Sequence, residues 1–170
     1  MKKLVFLLLI SCAIVASAQT TETAKPKLYN PAADAKADIE AAVQKAAKEG
    51  KHVLVQAGGN WCSWCILFHN KVTSNDTLKA VLEKNYVSYH LNYSPENKNE
   101  AVFAALGYPE RFGFPVFIIL DGKGKRLHTQ NSAYLEEGKG HSTRAVLEFF
   151  THWSPAAIDP KSYQKAAKGK

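Results

Sequence analysis

Between Asn30 and Trp153 the chain alternates between two hydrophobic rhythms: short unbroken apolar runs, and longer stretches where apolar residues return every three or four positions. The runs suit buried strands, and the stretches suit helices with one covered face. Residues 30–50 carry helix signals at both ends, with Asn30 to cap, Pro31 for the first turn and Gly50 to close. His52-Val53-Leu54-Val55-Gln56-Ala57 is a mostly apolar run ahead of Gly58-Gly59, as a buried strand requires. From Cys62 to about Asn70 the spacing of Cys65, Ile66, Phe68 and then Val72 predicts a helix, and Ser74-Asn75-Asp76 starts another bearing Leu78, Val81 and Leu82. Residues 86–91 read as a strand, 99–106 as a helix ended by Gly107, and Val116-Phe117-Ile118-Ile119-Leu120 as a fully buried strand. Asp121-Gly122-Lys123-Gly124 is a hairpin turn into an edge strand at 126–130. The last clear helix, about 142–153, places Val146, Leu147 and Phe150 on one face. Phe103, Phe112, Phe114, Phe117, Phe149 and Phe150 are expected mainly in the core.

This order describes an α/β fold with a central mixed β-sheet flanked by helices. Strand-to-helix units call for parallel neighbours with right-handed crossovers, and the hairpin adds an antiparallel edge. No internal repeat or low-complexity linker interrupts residues 30–153.

The N-terminus changes the picture. Lys2 and Lys3 precede an apolar run from Leu4 to Ile10, and Ala16-Ser17-Ala18 follows. A charged start, a short apolar stretch and small residues at a cleavage site make a secretory signal peptide over 1–18, with the mature chain starting at Gln19. A competing reading takes Leu9-Ile10-Ser11-Cys12 as a lipobox acylated on Cys12. The expected organisation is a signal peptide (1–18), a polar lead-in (19–29), one domain (30–158) and a basic tail (159–170). No later apolar run is long enough for a membrane helix, so no integral membrane segment is expected after signal removal. A chain of this length buries a core without staples.

The net charge of +7 drops by two when Lys2 and Lys3 leave. Much of the excess sits in Lys161, Lys165, Lys168 and Lys170, read as a solvated tail. No aromatic or arginine pattern accompanies these lysines, so no nucleic acid is expected as partner.

The strongest chemistry lies in Trp61-Cys62-Ser63-Trp64-Cys65. Directly after a buried strand and opening a helix, Cys62 meets unpaired N–H groups and a positive helix end, which stabilise its thiolate. Cys65 lies one turn in, close enough to bridge it. One sulfur attacks a disulfide and the other resolves the mixed disulfide. A purely structural bridge is the bland reading, but so short a loop constrains the unfolded chain little. A third reading is a metal site of Cys62, Cys65 and His69, an open copper centre or, with His52 or His90, a closed zinc centre. His69 otherwise reads as an ordinary helix histidine. Trp61 is assigned to shielding the thiol and shaping a docking surface, and Trp64 is equally suited to packing.

Strand, Trp-Cys-x-x-Cys opening a helix, and a proline before a late buried strand resemble the thioredoxin superfamily, over roughly residues 50–153. The resemblance implies a thioredoxin fold and a thiol-disulfide oxidoreductase with catalytic Cys62 and Cys65. It also implies that Pro115, in Gly113-Phe114-Pro115-Val116, is cis and faces the cysteines. The backbone of Phe114 would then pair with an extended substrate, so Trp61, Phe114 and Pro115 form the expected substrate site. More narrowly, Gly50-Lys51-His52-Val53, Phe68 and the Ser74-Asn75-Asp76 segment resemble the exported C-terminal domain of membrane thiol-disulfide interchange proteins.

Two features depart from thioredoxin. The buried acid six residues before the first cysteine is replaced by Gln56, and the dipeptide inside the motif is Ser63-Trp64. The resemblance implies no cofactor and no resident metal, with cysteine-containing exported clients and a separate electron partner. No dimerisation module or inserted helical domain is found, so a monomer and reduction rather than oxidation or isomerisation are expected. The expected location is the periplasm if the source is Gram-negative.

Overall fold

A computed structural model describes residues 27–167, with side chains to 164. The signal peptide and the Cys12 lipobox lie outside the described residues.

The elements run α1 (Ala35–Glu49), β1 (His52–Gly58), α2 (Ser63–Thr73), α3 (Asp76–Asn85), β2 (Tyr86–Asn92), α4 (Glu100–Ala105), β3 (Val116–Leu120), β4 (Arg126–Asn131), β5 (Glu136–Glu137), β6 (Gly140–His141), α5 (Thr143–His152), α6 (Pro155–Ile158) and α7 (Pro160–Ala167). The main sheet has the order β2-β1-β3-β4, and β5-β6 form a small separate ribbon.

All seven residues of β1 and all five of β3 are buried, which explains why they read as unbroken apolar runs. Their alternate side chains feed two cores. Val53, Val55, Ala57, Val116, Ile118 and Leu120 meet α1 and α4 through Ala46 and Phe103. Leu54, Phe117 and Ile119 meet α2, α3 and α5 through Phe68, Leu78, Val146 and Phe150. A sheet covered on both faces has no polar face to alternate with.

Strand directions depart from the sequence reading. β1 and β2 are parallel, with His52 opposite Tyr86. β3, expected to join a parallel set, instead runs antiparallel to β1, with Val116 opposite Ala57. After α4 the chain passes a 3-10 turn at Pro109–Phe112 and Gly113, and enters the sheet beside the end of β1. That reversal sets the start of β3 beside the cysteine loop.

Other boundaries also move. α1 begins at Ala35 rather than at Asn30-Pro31, because Asp34 caps it by accepting from the Ala37 N–H at 3.1 Å. Asn30 instead closes a tight turn, accepting from the Ala32 N–H at 3.0 Å. Phe112, expected in the core, is 39% exposed, with the Arg111 guanidinium 4.2 Å over its ring. A 3-10 turn at Ser132–Leu135 and the β5-β6 ribbon were not legible as periodic patterns. Within the basic tail, α7 spans Pro160–Ala167, and the Asp159 side chain accepts from the Lys161 N–H at its start.

Candidate active site

The loop joining β1 to α2 is built by two glycines and a cap. Cys62 is the N-cap of α2, in an extended conformation, and its sulfur accepts from the Cys65 N–H at 3.2 Å. The Cys62 N–H in turn donates to the Gly59 carbonyl at 3.0 Å. Cys62 and Cys65 are disulfide-bonded, with Cα atoms 5.3 Å apart. Cys65 is wholly buried and Cys62 keeps 5% exposure, so an incoming sulfur reaches Cys62 first.

Both glycines are required by close approach. A Cβ at Gly58 would lie 2.4 Å from the Cys65 sulfur and 2.9 Å from the Tyr29 hydroxyl. One at Gly59 would lie 2.3 Å from Trp61 Nε1. Gly58→Ala is expected to cost the oxidised protein about 1–3 kcal/mol through overpacking. Chemical denaturation measures this, and a loss below about 0.5 kcal/mol, ordinary for a surface change, would contradict it.

Trp61, Phe114 and Pro115 lie together beside the cysteine loop. Trp61 is 57% exposed, donates its indole N–H to the Tyr93 carbonyl at 2.7 Å, and stands edge-on to Phe114 at 5.7 Å. Tyr93 backs the Phe114 ring at 4.9 Å. Phe114 packs against the cluster holding both cysteines. The Phe114–Pro115 peptide is cis, and Pro115 is buried. An open groove of about 840 Å³ flanks Trp61, lined also by Lys27, Tyr93, Pro95 and Glu96.

Trp64 takes the packing role, closing on the cysteine cluster and standing edge-on to His141 at 5.4 Å. His141 is buried, and both its ring nitrogens lack a partner among the described residues. Burial holds its pKa below the usual histidine range. His69 packs against His90 at 5.3 Å, and burial lowers its pKa too. Burial, then the neighbouring His69, push His90 down to about 4. Among the described residues no three His, Cys, Asp or Glu side chains gather to hold a metal ion.

Sequence reasoning missed Tyr29 and Asn60. Asn60 clamps the backbone of Tyr29 at two points, accepting from its N–H at 3.1 Å and donating to its carbonyl at 2.7 Å. This holds Tyr29, fully buried, in the cysteine cluster, so the lead-in assigned to 19–29 contributes to the site. Gln56 donates to the Tyr29 hydroxyl at 2.7 Å and to the Cys65 carbonyl at 3.0 Å. Tyr29 and Asn60 are 31 residues apart, and the only local hint was a polar residue just before Trp61.

A thioredoxin-like family profile matches residues 34–122, more than half of the chain and including the whole cysteine loop. The chain belongs to the thioredoxin-like family. Solved structures similar to this thioredoxin-like protein include a disulphide isomerase from Xylella fastidiosa Temecula1, at 23% identity and TM-score 0.66, covering 75% of this chain and 97% of that one. The C-terminal domain of DsbD from Neisseria meningitidis, in its oxidised form, aligns at 18% identity and TM-score 0.48, covering 69% of this chain and 94% of that one. At 23% identity the likeness to the Xylella fastidiosa structure speaks for the thioredoxin-like fold alone. No curated protein matches the chain.

Proposed function

We infer that this protein is a thiol-disulfide oxidoreductase that reduces disulfides of exported proteins through Cys62 and Cys65. The observation that carries the reading is Cys62 at the N-cap of α2, bonded to a buried Cys65 and flanked by Trp61 and Phe114. Once the pair is reduced, the free N–H groups and positive end of α2 favour a thiolate at Cys62. That thiolate attacks a client disulfide, joins one client sulfur and expels the other as thiolate. Cys65 then attacks the Cys62 sulfur, which closes the Cys62–Cys65 bond and releases the second client sulfur. Two electrons pass to the client, and a separate dithiol protein restores them.

An extended client segment pairs with the Phe114 backbone beside Pro115, with Trp61 covering the sulfur. The signal-peptide reading of residues 1–18 supports an exported, periplasmic location in a Gram-negative source, with acylation at Cys12 as the anchored alternative. Among the described residues no helix is long and apolar enough to cross a membrane. The protein acts as a monomer in this reading.

The test is the equilibrium potential of the cysteine pair in a glutathione series, followed by tryptophan fluorescence with metal excluded. A value near about −250 mV or lower supports reduction, and one near about −120 mV reverses the direction. A pair that forms no reversible disulfide rejects the oxidoreductase reading.

A further inference from the structure

We propose that the Tyr29 hydroxyl, aimed by Gln56, donates the hydrogen bond that stabilises the Cys65 thiolate in the resolving step. The inference rests on the oxidoreductase reading and assigns a residue to its second half. Gln56, the β1 residue that donates to the Cys65 carbonyl, is a neutral amide that neither takes up nor gives up a proton there.

Three observations point to Tyr29. The Gln56 amide spends its protons on the Tyr29 oxygen and the Cys65 carbonyl. The phenol oxygen is therefore an acceptor towards Gln56, and its own proton is free to point elsewhere. Secondly, the Tyr29 oxygen and the Cys65 sulfur both lie within 3 Å of one point above Gly58, so the gap between them is at most the sum of two short distances. The missing side chain at Gly58 keeps that gap clear. Thirdly, Tyr29 is fully buried and its backbone is clamped by Asn60, which fixes the position of the phenol oxygen.

The electrostatics select a donor rather than a base. Burial raises the Tyr29 pKa well above its ordinary value, against a smaller opposing effect of the Gln56 hydrogen bond, so the phenol keeps its proton. Among the described residues, the titratable ring edge-on to Tyr29 is His90, at 5.5 Å, which burial holds neutral. In the resolving step the Cys65 thiol loses its proton to solvent, and its electron pair forms the bond to the Cys62 sulfur. The bond from Cys62 to the client sulfur breaks, and the client thiolate takes up a proton. A hydrogen bond to the charged form of Cys65 favours that form and lowers its pKa.

Ellman's reagent separates the two steps on the reduced full chain. Attack by Cys62 releases one thionitrobenzoate, and resolution by Cys65 releases a second. In Tyr29→Phe, which keeps the ring, the first burst is expected unchanged and the second slowed about tenfold, the thiolate lost when the Cys65 pKa rises about one unit. The rise itself is read from thiolate absorbance in a Cys62→Ser background. A ring-fluorinated tyrosine at position 29, a more acidic donor of nearly the same shape, is expected to speed the second burst. If Tyr29→Phe does not fold, that variant decides alone. Second bursts equal to wild type in either folded variant overturn the proposal, since mere packing by Tyr29 would survive both changes. Normal bursts in a protein that reduces no client disulfide would instead count against the oxidoreductase reading.

Discussion

Cys62→Ser is expected to lower reduction of a disulfide-bonded client by on the order of a thousandfold or more, to the rate of buffer thiols alone, because the thiolate is the nucleophile. A serine hydroxyl cannot supply that nucleophile, and Cys65, wholly buried behind Gly58 and Tyr29, cannot take over. Cys65→Ser has the opposite signature. The Cys62 thiolate still attacks, but nothing closes the second bond, so a covalent client adduct accumulates. Non-reducing gels of cells producing each variant read the difference. A Cys65→Ser protein that captures no client, beside a control thioredoxin trap that does, rejects the two-sulfur cycle. The asymmetry follows from burial: the two sulfurs are bonded to each other, yet only Cys62 keeps any surface.

The second large effect concerns stability. Phe68→Ala is expected to cost about 3–5 kcal/mol, the range for emptying a buried aromatic site. Phe68 lies on the helix that Cys62 caps, 2% exposed, with its ring 4.3 Å from Phe117 and edge-on to His141 and Phe150. It therefore joins β3, α5 and the β5-β6 ribbon to the helix carrying the redox pair. The neighbouring Leu67 is 44% exposed, and Leu67→Ala is expected to change stability by less than about 1 kcal/mol. Urea unfolding of both variants measures the contrast. Equal losses at the two positions would show that Phe68 does not anchor the helix.

Much of this architecture is legible in local patterns. The unbroken apolar runs at β1 and β3 mark strands covered on both faces, since neither face needs polar residues. Start signals are local too: Asn75 caps α3 by accepting from the Leu78 N–H at 3.0 Å, three residues away. A cysteine pair after a strand and at a helix start states its own chemistry, because the N-cap position and the thiolate preference belong to one short segment.

The start of α1 shows one limit: the sequence favoured Asn30-Pro31, but Asp34 caps the helix by accepting from the Ala37 N–H, while Asn30 closes a tight turn instead. Phe112 shows a different limit. Its apolar character suggested the core, but a ring beside Arg111 at the end of a 3-10 turn is stabilised at the surface.

By itself, then, the sequence determined most of the succession of strands and helices and the redox pair, because each rests on residues a few positions apart, whereas the place of Pro115 beside that pair came from the resemblance to the thioredoxin superfamily. The tertiary structure alone decided that β3 runs against β1, that Trp64 packs on His141 while Trp61 faces the groove, and that Tyr29 and Gln56 meet over Cys65. Those contacts join residues that become neighbours only when the sheet closes. Their direction depends on the hydrogen bonds and excluded volume of the folded chain, which no local periodicity encodes.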